Sequence, residues 1–152
     1  MAHKWTKLAL SLLATGFISM TALSVSADEA DDIKYRKSVM KAIGGTMGGM
    51  AAIVKGKVKQ KHAVQLSSAM ARLSEAVKDV FPEGSDFGDT RAKPDIWEKP
   101  KEFKASVAAF EKAASNLAKV SKSGDAASFA AAFGALGKSC GGCHKPFRAP
   151  KE

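Results

Sequence analysis

The feature that most constrains this chain is a five-residue motif near its C-terminus, Cys140-Gly141-Gly142-Cys143-His144. In this pattern two thiols can form thioether bonds to the vinyl groups of a haem while the imidazole binds its iron, which is how c-type haem is attached. A covalently held macrocycle is a large apolar body around which the rest of the chain must pack. The motif predicts one haem c per chain, attached through Cys140 and Cys143, with His144 as an iron ligand.

The residues around the motif indicate an amphipathic helix. Steps of four, three, four, three and four residues, the spacing of one helical face, separate Phe129, Phe133, Leu136, Cys140, Cys143 and Phe147. Both sulfur atoms are therefore expected on the core side of this helix. His144 follows Cys140 by one turn, so its imidazole can reach the centre of a ring held by the two sulfurs.

Other uses of two cysteines each lack a required part. A structural zinc site needs further ligands at defined spacing, and the chain has only these two cysteines. A thioredoxin-like dithiol usually follows a strand at the start of a helix, whereas this pair comes late in a helical stripe. A disulfide between residues three apart on one helix would be strained. Haem attachment is the interpretation that uses all three reactive side chains.

Residues 1–27 have the pattern of a signal peptide. Lys4 and Lys7 form a positive start, an apolar stretch follows from Leu8 to Leu23, and Val25-Ser26-Ala27 resembles a signal-peptidase site. The prediction is a mature domain of residues 28–152, exported to the periplasm, where c-type haem is assembled. After residue 27 no stretch approaches the roughly 20 apolar residues that cross a bilayer, so no stable membrane insertion is expected after cleavage. An uncleaved N-terminal anchor is the alternative.

Four amphipathic segments account for most of the mature sequence and predict an all-α four-helix bundle. They span about 31–54, 64–81, 101–120 and, after Ser123-Gly124-Asp125, the helix that carries the haem motif. Between the second and third segments, Pro82 to Pro100 is expected to be irregular because of its three prolines and two glycines. No strand pattern and no internal repeat is found.

Charge and composition narrow the classes of partner. Without Lys4 and Lys7 the mature part has 22 basic and 15 acidic residues, a net charge of +7. Such an excess can steer acidic redox partner proteins or an anionic surface, but the lysines are scattered along the sequence and lack interleaved aromatic residues, so nucleic-acid binding is not expected. No convincing nucleophile and base pair is seen, so an enzyme is not expected either.

Over residues 28–150 the chain resembles cytochrome c′ and its low-spin relatives, the class II c-type cytochromes. The resemblance rests on the haem motif in the last helix, on the basic Arg148 one turn after His144, and on two shorter motifs, Ile33-Lys34-Tyr35-Arg36-Lys37-Ser38 and Lys93-Pro94-Asp95-Ile96-Trp97. It implies a four-helix haem domain. It also implies a homodimer through the first two helices, with which the unusual glycines Gly44, Gly45, Gly48 and Gly49 of the first helix are compatible.

The resemblance places Met40 on the open side of the haem. In the family, leucine at this position commonly leaves the iron five-coordinate and high-spin, whereas methionine can complete a six-coordinate, low-spin iron. The expected function is thus a low-spin electron carrier with His144 and Met40 as iron ligands. The alternative is a five-coordinate protein that binds nitric oxide or carbon monoxide, with Met40 as a core side chain.

Further residues are assigned through the same resemblance or by their chemistry. Arg36 is expected to pair with a haem propionate, Phe81 to lie near the open haem face, and Arg148 to lie beside the cofactor. Met47 and Met50 lie about 11 and 15 Å beyond Met40 along the helix, too far to serve the same iron position. His62 leaves bis-histidine ligation as an alternative.

Overall fold

The computed structural model describes residues 27–151, so the predicted signal peptide lies almost entirely outside the described residues. The helices are α1 (Ala27–Val54), α2 (Ala63–Ala76), α3 (Asp95–Glu98), α4 (Pro100–Val120) and α5 (Ala126–Phe147). Within the described residues no helix is both long and apolar enough to cross a bilayer. Because α1, α2, α4 and α5 are the long elements, the predicted all-α four-helix bundle is confirmed.

The four long helices pack in chain order, α1 on α2, α2 on α4 and α4 on α5, and α1 also contacts α5. Each contributes apolar residues at helical spacing to one core. Fully buried members from all four helices are Met50, Met70, Leu117, Phe129 and Leu136. At the end of α1 the core position belongs to Ile53, which is 4% exposed, and not to Val54, which is 40% exposed.

Local signals explain where several helices begin and end. The carboxylate of Asp125 accepts hydrogen bonds from the backbone N–H groups of Ala127 and Ser128, so it caps the start of α5. Gly56 follows α1 with a positive φ of 69°, and Gly124 precedes α5 with a φ of 73°. Both conformations favour glycine, which has no Cβ to clash.

The connection from Pro82 to Pro100 is more ordered than expected. It contains the one-turn helix α3, and α4 begins at Pro100 itself. The expectation that prolines preclude helix here was wrong, because proline has no N–H to lose in the first turn and its fixed φ suits that position. An isolated β-bridge between Ala92 and Arg148 ties the same connection to the end of α5.

Candidate functional site

Two adjoining cavities lie between α5 and the other helices, with volumes of about 310 and 320 Å³. Both are lined by Met40, Val77, Cys143, His144 and Arg148, so they adjoin along α5. Cys140 lines the second cavity. The structure thus brings both cysteines, the histidine and Met40 to the same place.

The chemistry of the α5 residues suits covalent attachment and iron binding. Cys140 and Cys143 are free thiols, and burial raises the pKa of each, with the neighbouring Cys140 sulfur raising that of Cys143 further. Burial lowers the pKa of His144, and the positive charges of Arg148 and Arg91 lower it further. The imidazole is therefore held in its neutral form, which has a nitrogen lone pair free to bind a metal.

Arg36 reaches the first cavity from α1 but is already engaged by the connection. Its side chain is 4% exposed, and its Nη1 donates to Ser85 Oγ at 2.7 Å and to Val80 O at 3.4 Å. Its Nη2 donates to Ser85 O and Thr90 Oγ1, both at 2.8 Å. Burial lowers the pKa of Arg36, partly offset by the charge of Asp32. The guanidinium fork therefore binds protein acceptors, and pairing with a propionate stays a prediction.

Phe81 lies in the wall of the first cavity at the centre of an aromatic cluster. Its ring packs edge-to-face against Phe103, with centroids 4.9 Å apart, and Phe103 packs in the same way on Phe147 at 5.3 Å. The guanidinium carbon of Arg36 lies 5.0 Å from the Phe81 ring centroid, within cation–π range. The cluster joins α4 and α5 to the segment after α2 and makes this wall rigid.

Arg148 and Arg91 form a basic wall beside His144. The backbone N–H of Arg148 donates to His144 O at 3.1 Å, which ends α5. Arg91 donates from Nε at 2.9 Å and from Nη2 at 2.5 Å to Ala149 O, and Ala149 N donates to Arg91 O at 2.8 Å. These bonds fix the segment after α5 against the connection, so both arginines stay near the imidazole.

Sequence reasoning missed three members of the site: Arg91, Thr90 and Ser85. They lie in the connection, about 50 residues from both Arg36 and His144, and no helical periodicity relates them to either. The available signal was the position of Thr90 and Arg91, which lie three and two residues before the Lys93–Trp97 motif. The Trp97 ring in that motif donates from Nε1 to Pro82 O at 3.1 Å, which closes the connection on itself.

The other candidate iron ligands are placed elsewhere. His62 is exposed in the short turn between α1 and α2, where α1 ends, whereas Met40 lies about 21 Å back along that helix. Met50 is fully buried in the core, and Met47 lines the second cavity. Bis-histidine ligation through His62 therefore has no support in this fold.

The residues present fit a covalent haem. Two thiols and a neutral imidazole lie along one cavity wall, and the rest of the second cavity is mostly apolar. Four cationic side chains, Arg36, Lys37, Arg91 and Arg148, line the first cavity, and no acidic residue does. A flat apolar ring with two carboxylates needs this combination of walls and charges.

Comparison with known proteins agrees with this site. The family described as Cytochrome C′ matches residues 31–148. A cytochrome c′ from Pararhodospirillum photometricum is 39% identical over 76% of this chain and 94% of its own length. Cytochrome c-556 from Agrobacterium tumefaciens is 38% identical over 80% of this chain and its own full length. A structure of a ferrous arginine-to-lysine variant of cytochrome c prime from Alcaligenes xylosoxidans with bound NO superposes with a TM-score of 0.76 at 29% identity, covering 83% of this chain and 99% of that one.

These comparisons correct the functional expectation. The prediction of a low-spin electron carrier with Met40 as an iron ligand was wrong, since the relatives that match most of this chain include several cytochromes c′, and a variant of one of them is solved with bound NO. The physical reason is that a thioether is a weak, neutral donor, and methionine equally serves as a flexible apolar wall. Met40 is half-buried and packs against the core.

The cofactor and fold predictions are confirmed by the same findings. The thiols and imidazole of α5 line a cavity that suits haem c, in the four-helix architecture of the solved relatives. From residue 31 to residue 148 the chain belongs to the cytochrome c′ family, whose members carry covalently attached haem c.

Proposed function

We propose that this protein binds a neutral diatomic gas, nitric oxide or carbon monoxide, at its haem. The observation that carries the proposal is a second cavity with mostly apolar walls that shares His144 and Met40 with the first. Cys140, Cys143 and His144 would hold the haem, and its iron would supply the site at which the gas binds. The NO complex of the Alcaligenes relative supports this function.

The side chains that line the two cavities differ, and we assign a different role to each cavity. Cationic side chains border the first, where Arg36, Lys37 and Arg91 can balance the haem carboxylates. Apart from Arg148, the side chains of the second cavity are uncharged or belong to the attachment motif, and Ile43, Val107 and Phe110 form much of its wall. A neutral gas needs no hydrogen bond there, whereas water and anions lose theirs on entry.

Each site residue has a role in this proposal. Cys140 and Cys143 hold the ring, and His144 binds the iron. Burial lowers the pKa of this imidazole, and the charges of Arg148 and Arg91 lower it further, so its neutral form is favoured. Met40 and Phe81 act as walls that limit the space beside the ring. Arg36 holds the connection over the first cavity through Ser85 and Thr90.

The proposal also includes the setting of the protein. We infer a binding protein and not an enzyme, exported to the periplasm after cleavage of residues 1–27. We further infer a homodimer through α1 and α2. Support for the dimer comes from Gly45 and Gly48, exposed on α1, where an added Cβ would meet nothing within 4 Å. Such a flat face permits close approach of a second helix.

The experiment is an optical and gas-binding comparison of the purified protein with Met40→Leu. We expect the oxidised wild type to be high-spin at neutral pH, and Met40→Leu to leave the spin state unchanged, because leucine fills a similar volume without a lone pair. Carbon monoxide should bind readily to both reduced proteins. Met47→Leu is the matched control, since it alters the second cavity alone.

A far-red absorption from sulfur-to-iron charge transfer in the wild type, lost in Met40→Leu and kept in Met47→Leu, would contradict the proposal. It would show that the Met40 sulfur occupies the position assigned to the gas. Failure of the reduced wild type to bind carbon monoxide or nitric oxide would contradict it independently.

A further inference from the structure

The positive charge of the protein is concentrated in one part of the chain. From Ile33 to Ser74 there are nine basic residues and no acidic residue. Four of the nine, Lys55, Lys57, Lys59 and Lys61, alternate with other residues in the turn between α1 and α2, and all four are exposed. Although lysines occur throughout the sequence, four of them therefore lie close together in this one turn.

The fold brings a second basic turn to the same end of the bundle. Ser67, in the first turns of α2, donates from Oγ to Ser121 Oγ at 2.7 Å, so the α1–α2 turn lies beside the α4–α5 turn. The latter adds Lys119 and Lys122, both exposed. We call the residues 54–64 and 119–125 the basic end. Its acidic member is Asp125, whose carboxylate caps α5.

The backbone of the basic end is ordered. Hydrogen bonds from Lys55 N to Ala51 O at 3.0 Å and from Lys57 N to Ala52 O at 2.9 Å close the end of α1, and Gly56 supplies the positive φ that this turn requires. Ala63 anchors the other side of the turn in the core with no exposed surface. The lysines thus project from a fixed turn, which lowers the entropy lost on binding.

Exposed valines accompany the lysines. Val54, Val58 and Val64 are 40%, 41% and 36% exposed. Residues 54–64 and 119–125 contain no arginine and no phenylalanine, tyrosine or tryptophan. Recognition of single-stranded nucleic acid uses aromatic stacking, and a specific carboxylate is best held by the fork of arginine. Lysines are point charges that suit a diffuse anionic surface, and small apolar side chains between them can enter the boundary between headgroups and acyl chains.

We propose that the basic end docks reversibly on a bilayer containing anionic phospholipids. His144 lies 18 residues beyond Ala126, at the start of α5, or about 27 Å along that helix. The haem end therefore faces away from the bilayer and stays accessible to gas. The docking does not depend on the ligand of the iron, so it stands or falls separately from the gas-binding proposal.

Co-sedimentation of the haem-loaded protein with vesicles tests the docking. The probe is phosphatidylcholine mixed with phosphatidylglycerol, and vesicles of phosphatidylcholine alone are the uncharged control. We expect binding only to the anionic vesicles, and weaker binding as salt rises, because ions screen exposed charges. A lysine near an anionic surface strengthens binding about fivefold, so replacing Lys55, Lys57, Lys59 and Lys61 by glutamine should weaken it several hundredfold, to roughly 600-fold.

The matched control carries four Lys→Gln changes elsewhere, at the exposed positions Lys101, Lys104, Lys112 and Lys138. It has the same net charge as the quadruple variant of the basic end, and we expect it to keep most of the binding. Thermal midpoints of both variants should match the wild type, since all eight side chains are exposed. Equal losses in the two variants would overturn the proposal, because net charge and not the basic end would then determine binding.

A second experiment distinguishes docking on a lipid surface from docking on an acidic protein. Val58→Ser should weaken binding to the anionic vesicles while leaving any binding to polyglutamate unchanged, because only a bilayer accepts an apolar side chain. Absence of binding to anionic vesicles at low salt would overturn the proposal. So would binding to polyglutamate alone through the same four lysines, which would assign the basic end to an acidic protein.

Discussion

Replacing Arg36 by methionine tests whether this residue holds the connection over the first cavity. Methionine keeps much of the apolar stem but removes all four hydrogen bonds to Val80, Ser85 and Thr90 and the contact with the Phe81 ring. Two acceptors keep other partners, since Ser85 Oγ still donates to Pro82 O and Thr90 Oγ1 still accepts from Ala92 N. The carbonyl oxygens of Ser85 and Val80 lose the bonds from Arg36.

The magnitude follows from these two carbonyls. A buried acceptor left without a partner costs about 1–3 kcal/mol, so two cost about 2–6 kcal/mol. Removing the buried guanidinium also ends its desolvation cost, which offsets part of this loss. We expect a net loss of about 3 kcal/mol in the free energy of unfolding, which for a domain of this size lowers the thermal midpoint by roughly 10 °C.

Circular dichroism during heating measures the midpoint, and hydrogen exchange measures the opening of residues 82–93. Exchange should accelerate there and change little in the α4 core around Leu117. Arg36→Lys is the matched control: it keeps the charge but not the fork, so it should recover only a minor part of the loss. An unchanged midpoint and unchanged exchange in Arg36→Met would refute the assigned role of the guanidinium.

Three further changes test the site and the helices. Cys140→Ala combined with Cys143→Ala should abolish the haem that survives acid-acetone extraction and lower the thermal midpoint, because the core loses its covalent cofactor; a midpoint equal to that of the wild type would contradict a haem-centred fold. Hydrogen bonds from Ser128 and Ala127 lower the pKa of Asp125. The ionised Asp125 cap therefore stabilises the folded protein at neutral pH, and this stabilisation is lost as the pH falls through that lowered pKa. The midpoint difference between wild type and Asp125→Ala should therefore narrow towards strongly acid pH, and a constant difference would exclude the carboxylate cap. Gly134→Ala, at an exposed position within α5, should stabilise the protein by up to about 1 kcal/mol in thermal unfolding, because its added Cβ would meet nothing within 4 Å, whereas Gly49→Ala should gain less, because its Cβ would lie 2.9 Å from Leu66 Cδ1. Equal gains at the two positions would show that this contact has no effect.

Much of the fold could be predicted because its determinants are local. The stripe from Phe129 to Phe147 showed the last helix and the core side of both cysteines, since side chains three and four residues apart share a helical face. Asp125 and Gly124 marked the start of that helix through their own backbone preferences. The attachment of haem c likewise follows from five consecutive residues. These features can be predicted without knowing how the helices pack.

The rest depends on contacts between distant parts of the chain. Arg36 meets Ser85 across 49 residues, and Ser67 meets Ser121 across 54. Neither pair has a periodic or compositional signal, because the free energy of such contacts arises only when helices pack together. The sequence by itself determined the cofactor, the helices and the excess of positive charge. Only the tertiary structure decided that Arg36 holds the connection, that Met40 lines a shared cavity and that two lysine-bearing turns meet at one end of the bundle, because side-chain surroundings are set by packing and not by neighbours in sequence.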